Sequence, residues 1–284
     1  MRPLPHYMPA LITPFTQRGE IDVKAHTHNM RALADRGIEG FVIGGSNGEG
    51  PYLETGERQK LVKAGRRRKA HLMAGIAAES TRMALAQTAE ATEGGADTLL
   101  VQTPTTLTRG RDDAVIDFYR AVADQAKVPV LLYSVPSVTG FSLPIELIAR
   151  LSRHDNIIGM KDSSGDVVRL QAIIDTAPGD FVLYSGSSKS VTAAMAVGCY
   201  GAITGSGNYV PELVIDLVAK AGDDPAGSRR DQKRLSRLSA GIEAHGIPGV
   251  KAAARAAGLE PGYPRPPLTR LSRGVETSIA KLIT

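Results

Sequence analysis

Residues 128–136 read VPVLLYSVP and residues 157–166 read IIGMKDSSGD, two apolar runs that each end in hydroxyl-bearing or small residues. Neither alternates apolar with polar, and near-continuous apolarity is how strands buried on both faces of a parallel sheet read. Working outward, the same pattern recurs in ALITPF from Ala10, GFVIGG from Gly40, HLMAGI from His71, TLLVQTP from Thr98, FVLYSG from Phe181 and GAITGSGN from Gly201. Eight strands are therefore expected within the first 210 or so residues. The segments between them carry helical spacing, as in Leu143, Leu147, Ile148 and Leu151, or Leu213, Val214, Leu217 and Val218 behind Pro211. Several close on glycine near Gly37 and Gly94, the residue type that most readily adopts a left-handed C-cap.

Eight strand and helix pairs predict an α/β fold, a (β/α)8 TIM barrel, with a doubly wound open sheet as the architectural alternative because strand count does not prove closure. From Asp223 the strand signal stops. Helical stretches over 226–245, 248–258 and 268–283, separated by glycine and by the linker EPGYPRPPL, predict a C-terminal three-helix extension over 223–284 behind a catalytic barrel over 1–222. The length of 284 residues agrees, since it exceeds the roughly 250 typical of a bare barrel.

The chain is 42% hydrophobic and 22% charged, with a formal charge of +5, so disorder is not expected. Its densest basic run, Arg66, Arg67, Arg68 and Lys69, reads as a helix end where cations meet the negative dipole, and no interleaved aromatics offer stacking to bases. Nucleic acid is therefore not expected as a partner. The N-terminal MRPLPHYMPA lacks the apolar core of a signal peptide, and no run approaches the ~18 apolar residues of a membrane span. A cytoplasmic protein without membrane contact is expected. The single cysteine, Cys199 in VGCYG, reads as a buried inert thiol. His26 and His28 lie two apart on an expected helix and point to different faces, so no metal site is expected.

In a (β/α)8 barrel, active sites occupy the C-terminal ends of the strands. Those ends read GGSNGEG, YSVPSVTG, MKDSSGD, SGSSKS and TGSGN, a set of short donors and glycines suited to holding an anion, with Ser163, Gly186 and Ser187 among them. Lys161 is the one lysine inside an expected strand, on the same side as Ile157 and Gly159 and hence inside the barrel; the alternative is that Lys161 and Asp162 begin an exposed turn. A lysine attacks a ketone only as the neutral amine, and bringing a free lysine from a pKa near 10.4 to neutrality takes roughly 4 kcal/mol, which desolvation can supply. The resulting iminium is an electron sink for cleavage of a neighbouring carbon–carbon bond. Lys189 is the rival nucleophile, but three residues past the seventh strand and near a helix start it reads better as a phosphate-contact or helix-end lysine. Tyr133 ends the neighbouring strand and is either a proton relay or a core tyrosine. Gly45, Ser46, Asn47, Gly48 and Glu49 form either an anion-binding turn or a purely structural one.

With these motifs in order, the chain resembles the dihydrodipicolinate synthase and N-acetylneuraminate lyase family of class I aldolases, from ALITPF near Ala10 to GIPGVK near Gly246. The resemblance implies a covalent imine on Lys161 with no separate cofactor, Tyr133 and Ser46 in catalysis, and Ser46 and Asn47, with Gly45, on the pyruvate carboxylate. It also places Ile203 against the bound keto acid and implies a homotetramer built from dimers. Two departures stand out: Val138 replaces the arginine that in the synthases grips the aldehyde's carboxylate, and TPTTLTRG from Thr103 lacks the family's tyrosine pair, leaving Thr105, Thr106 or water to complete the proton relay. The motifs look most like the 4-hydroxy-2-oxoglutarate aldolase branch, with pyruvate and an aldehyde such as glyoxylate as products. A sugar-acid dehydratase or hydratase-aldolase, a 4-hydroxy-tetrahydrodipicolinate synthase and a non-catalytic keto-acid-binding barrel are the alternatives.

Overall fold

The structure is a computed structural model describing residues 3–66, 69–221 and 223–283. In chain order its elements are β1 (Tyr7–Pro9), α1 (Val23–Ala34), β2 (Gly40–Ile43), α2 (Glu57–Gly65), β3 (His71–Ile76), α3 (Thr81–Gly94), β4 (Thr98–Gln102) and α4 (Asp112–Gln125). There follow β5 (Val130–Ser134), α5 (Pro136–Thr139), α6 (Ile145–Leu151), β6 (Ile157–Asp162), α7 (Val167–Thr176), β7 (Val182–Ser185), α8 (Val191–Ala196), β8 (Gly201–Thr204) and α9 (Pro211–Lys220). Three more helices complete the chain: α10 (Pro225–Glu243), α11 (Gly246–Ala256) and α12 (Arg273–Ile283).

The eight strands are all parallel and run β1-β8-β7-β6-β5-β4-β3-β2. A parallel bridge between Ala10 and Val42, with Leu11 N–H donating to the Val42 carbonyl at 2.9 Å, brings the two ends together, so the expected barrel and not the open sheet is formed. Inside it Met8, Val42, Met73, Leu100, Leu131, Tyr184 and Ile203 pack on one another. The opposite strand faces (Phe41, Leu72, Leu99, Leu132, Met160, Leu183) bury against the helices, which explains why the runs read as apolar without alternation.

Two expectations about the strands need correcting. The first strand is Tyr7–Pro9 and not ALITPF: only Ala10 of that run reaches the sheet, and Leu11, Ile12 and Phe15 are buried as a loop above the barrel. Ile157 does not share a side with Lys161. The β5/β6 register skips a residue, pairing Val130 with Ile157 but Leu131 with Gly159, and this irregularity turns Ile157 outward while Gly159 and Lys161 stay aligned with inward-facing Leu131 and Tyr133.

Local chemistry sets the helix ends. The Asp22 carboxylate accepts from Lys24 and Ala25 N–H at 3.1 and 3.0 Å, Ser80 caps α3 through Met83 N–H at 3.3 Å, and Asp166 caps α7 through Arg169 N–H at 3.1 Å. At the end of α3 it is Gly95, at φ 91°, that adopts the left-handed cap, while Gly94 remains helical. Arg66 caps α2 and pairs with Asp97 at 2.7 Å, whereas Arg67 and Arg68 of the basic run lie outside the described residues. Helix α12 starts five residues later than expected, where the Ser272 carbonyl accepts from Glu276 N–H at 3.0 Å. No helix among the described residues is long and apolar enough to cross a membrane.

Candidate active site

Register brings the central pair together. Tyr133 of β5 and Lys161 of β6 are direct strand partners on the inner face, both 4% exposed. Lys161 Nζ lies 3.4 Å from the Tyr133 hydroxyl and 4.4 Å from its ring centroid, and the same hydroxyl lies 3.2 Å from Ser46 Oγ. The result is a continuous chain of serine hydroxyl, phenol and amine at the C-terminal mouth of the barrel, where this fold places its chemistry. The exposed-turn alternative for Lys161 and Asp162 is overturned: both are strand residues and buried. Asp162 faces outward and pairs with Arg169 at 2.9 Å, anchoring the end of β6 to α7.

Room for the lysine comes from the residue after β7. Gly186 donates its N–H to the Asp162 carbonyl at 2.7 Å, and a Cβ on it would stand 2.8 Å from Lys161 Cε and 2.0 Å from Ser163 Oγ. Only glycine fits there without displacing the lysine stem.

The turn after β2 is closed by Glu49 N–H on the Ser46 carbonyl and Gly50 N–H on the Gly45 carbonyl, each at 3.0 Å. Glu49 sits at φ 55°, the only described non-glycine residue with a positive φ, a conformation costing an L-residue about 1–2 kcal/mol. Its side chain explains why the cost is tolerated: it is fully buried, with Oε1 2.6 Å from Lys251 Nζ and Oε2 accepting from Arg265 N–H at 2.7 Å.

A cleft of about 410 Å³ opens over this group, lined by Ser46, Asn47, Tyr133, Lys161, Ser163, Gly186, Ser187 and Ile203. Gly45 is not on its wall and contributes only its carbonyl to the turn. Lys189, read as a phosphate-contact or helix-end lysine, lines the cleft, as does Val138, which is 61% exposed. Four wall residues contributed by α10 and α11 were not anticipated, namely Glu243, Gly246, Ile247 and Val250. The Glu243 carboxylate is held by hydroxyls: Ser188 and Tyr209 donate to Oε1 at 2.8 and 3.2 Å, and Ser239 to Oε2 at 3.2 Å. Burial and that carboxylate together push the Tyr209 phenol far up from its ordinary value.

The threonines proposed to replace a relay tyrosine are held by Glu79. Thr105 and Thr106 are tied through their backbone N–H groups to Glu79 at 2.9 and 2.8 Å, and neither lines the cleft. A larger hollow, about 1190 Å³, lies at the opposite end of the barrel around Pro5, His6, Glu39, Lys69 and Tyr200, on the face that in this fold serves stability. Cys199 is buried, with its thiol pushed up to about 12 mainly by desolvation, which makes it inert. Among the described residues no group of histidine, cysteine or carboxylate side chains could hold a metal ion.

Residues 4–284 match the dihydrodipicolinate synthetase family over essentially the whole chain. The chain belongs to that family. A 4-hydroxy-tetrahydrodipicolinate synthase of Pseudomonas aeruginosa is 34% identical over 274 residues, covering 93% of this chain and 92% of the relative. One from Nitrosospira multiformis is 33% identical over 269 residues, covering 93% and 89% respectively. Among solved structures, a dihydrodipicolinate synthase from Bacillus anthracis superposes with a TM-score of 0.92 at 26% identity, covering 100% of this chain and 98% of that one. A prophage protein of the dihydrodipicolinic acid synthase family from Escherichia coli, in complex with pyruvate, gives 0.91 at 25% identity, covering 97% and 96%. The dihydrodipicolinate synthetase family consists of class I lyases and synthases that work through a lysine–pyruvate imine without a metal, so this member is a lyase.

Proposed function

We propose that this family member is an aldolase of the 4-hydroxy-2-oxoglutarate type, cleaving a 4-hydroxy-2-oxo acid to pyruvate and an aldehyde such as glyoxylate. The observation that carries the reading is the Ser46–Tyr133–Lys161 chain, with contacts of 3.2 and 3.4 Å, at the floor of the cleft. In this mechanism the neutral Lys161 amine adds to the C2 carbonyl and water leaves to give the iminium, while the Ser46–Asn47 turn holds the adjoining carboxylate and Ile203 packs against C3. Tyr133, in proton exchange with Ser46, takes the proton from the C4 hydroxyl; the C3–C4 electrons move into the iminium, and the aldehyde departs from the enamine. Protonation of the enamine at C3 and hydrolysis of the imine release pyruvate and restore Lys161.

Cyanoborohydride reduction in the presence of pyruvate should add one pyruvyl mass to the Lys161 peptide and none in Lys161→Ala. A panel of 4-hydroxy-2-oxo acids with pyruvate detection then tests cleavage, and an unlabelled lysine would remove the reading. The reading includes a cytoplasmic homotetramer, checked by light scattering.

A second reading, 4-hydroxy-tetrahydrodipicolinate synthase, is favoured by the names of relatives at 33–34% identity. Against it stands Val138 on the cleft wall, an aliphatic side chain at the position where the synthases carry the arginine that grips their own aldehyde. Condensation of pyruvate with the synthases' aldehyde at rates above cleavage of any 4-hydroxy-2-oxo acid would favour this second reading.

A further inference from the structure

Behind the carboxylate turn lies a buried charge cluster that the chemistry above does not use. Lys251 of α11 is 2% exposed; its ammonium forms an ion pair with Glu49 Oε1 at 2.6 Å and donates to the Thr13 carbonyl at 2.8 Å and the Tyr263 carbonyl at 2.6 Å. Thr13 in turn donates its hydroxyl to the Gly48 carbonyl at 2.7 Å. Of the two residues that follow Ser46 and Asn47 in the turn, Glu49 is therefore paired directly with α11, and Gly48 is held by Thr13, which Lys251 in turn holds. Lys251 is not required merely to dock α11, because Val250, Ala253 and Ala254 on the same helix are already buried in the core.

A buried ion pair is weak evidence for stability, since desolvation offsets much of its attraction, and its better-attested use is to specify one conformation. Here the conformation specified is identifiable, namely the left-handed backbone of Glu49 that closes the turn. Phe15 covers the cluster, its ring centroid 5.0 Å from Lys251 Nζ and 4.2 Å from the Arg265 guanidinium carbon. Water is thereby kept from competing for the pair.

We propose that Glu49 and Lys251 are positioning residues: through their ion pair, α11 fixes the Ser46–Asn47 turn in the pose that receives the 2-oxo acid's carboxylate, so keto-acid affinity is set from the C-terminal segment. The proposal rests on the pyruvate-imine reading above.

The test is the pyruvate dependence of cyanoborohydride trapping at Lys161 in the full chain, with thermal melts alongside, for Glu49→Gln, Lys251→Met and the milder Thr13→Val. Losing a charge-assisted contact should raise half-saturating pyruvate by roughly tenfold or more in the first two variants, and by about threefold in Thr13→Val. The trapping rate at saturation should fall far less. A merely structural pair would lower the melting temperature and leave half-saturation where it was, and that result in a cooperatively melting variant overturns the proposal. Should the first two variants fail to fold, Thr13→Val decides, since it removes one hydroxyl at nearly constant volume. Unlabelled wild type would remove the function reading and this proposal with it, whereas labelled wild type with unmoved variants removes only the positioning role.

Discussion

Substituting Gly186 by alanine tests whether an absent side chain just after β7 is what lets Lys161 work. The added Cβ would stand 2.0 Å from Ser163 Oγ, 2.9 Å from Ser163 Cβ and 2.8 Å from Lys161 Cε. The serine hydroxyl can rotate away, but its Cβ and the lysine stem cannot both remain, because carbon contacts settle near 3.5–4.0 Å. The lysine must therefore retreat by roughly 1 Å, and a misplacement of that size costs on the order of a hundredfold in a positioned reaction. Its amine already spans 3.4 Å to Tyr133, so little slack remains to absorb the movement. Overpacking should also destabilise the fold by about 1–3 kcal/mol, lowering the melting temperature by several degrees. Pyruvate trapping by cyanoborohydride, followed by peptide mass at Lys161, reads the first effect, and a thermal melt reads the second. If Gly186→Ala traps pyruvate within about threefold of the wild-type rate, the steric argument is wrong.

Tyr133→Phe removes the phenol shared by Ser46 and Lys161 and should lower turnover by about 10²–10⁴-fold, the usual worth of a positioned proton-transfer group, while the melt changes little; a loss below tenfold would show the phenol to be a packing residue. Lys189 forms no ion pair among the described residues and lines the cleft whose Val138 wall is aliphatic, so Lys189→Met should raise KM by about tenfold for a substrate with a distal carboxylate and leave an uncharged analogue unaffected; equal changes for both substrates would count against a charge contact. Burial pulls His26 down to about 4 against an ordinary 6.5, so its neutral form contributes stability that is complete above pH 6.5 and is lost as the pH falls toward 4. That displacement corresponds to roughly 3 kcal/mol, and melts of His26→Leu across this window should lack that part of the decline, whereas an identical pH profile in both proteins would contradict it.

What could be read in the sequence followed the range over which its signals act. Strands β2 to β8 were legible because a parallel barrel strand is apolar on both faces, and Lys161 stood out because a charge interrupts such a run. The same logic failed at β1, where the apolar density of ALITPF lies in a buried loop while the strand proper, Tyr7–Pro9, carries two residues of weaker signal. Strict alternation likewise placed Ile157 beside Lys161, because a skipped residue in the β5/β6 register is a property of two strands and leaves no mark on one.

The cleft wall built by Glu243, Gly246, Ile247 and Val250 was invisible for a further reason. These residues lie 197 or more positions from Ser46, and nothing in their own helices distinguishes a face turned toward a cleft from one turned toward the core. Yet α10 and α11 supply both an anionic group at the wall and the lysine behind the carboxylate turn. Strands β6 and β5 present the amine and the phenol and the turn after β2 presents the serine; the helices beyond the barrel bound the remaining space of the cleft. Variation in α10 and α11 can therefore change which aldehyde is accepted without touching Lys161 or Tyr133, and a chimera exchanging these two helices with those of a synthase should shift aldehyde preference while pyruvate labelling of Lys161 persists.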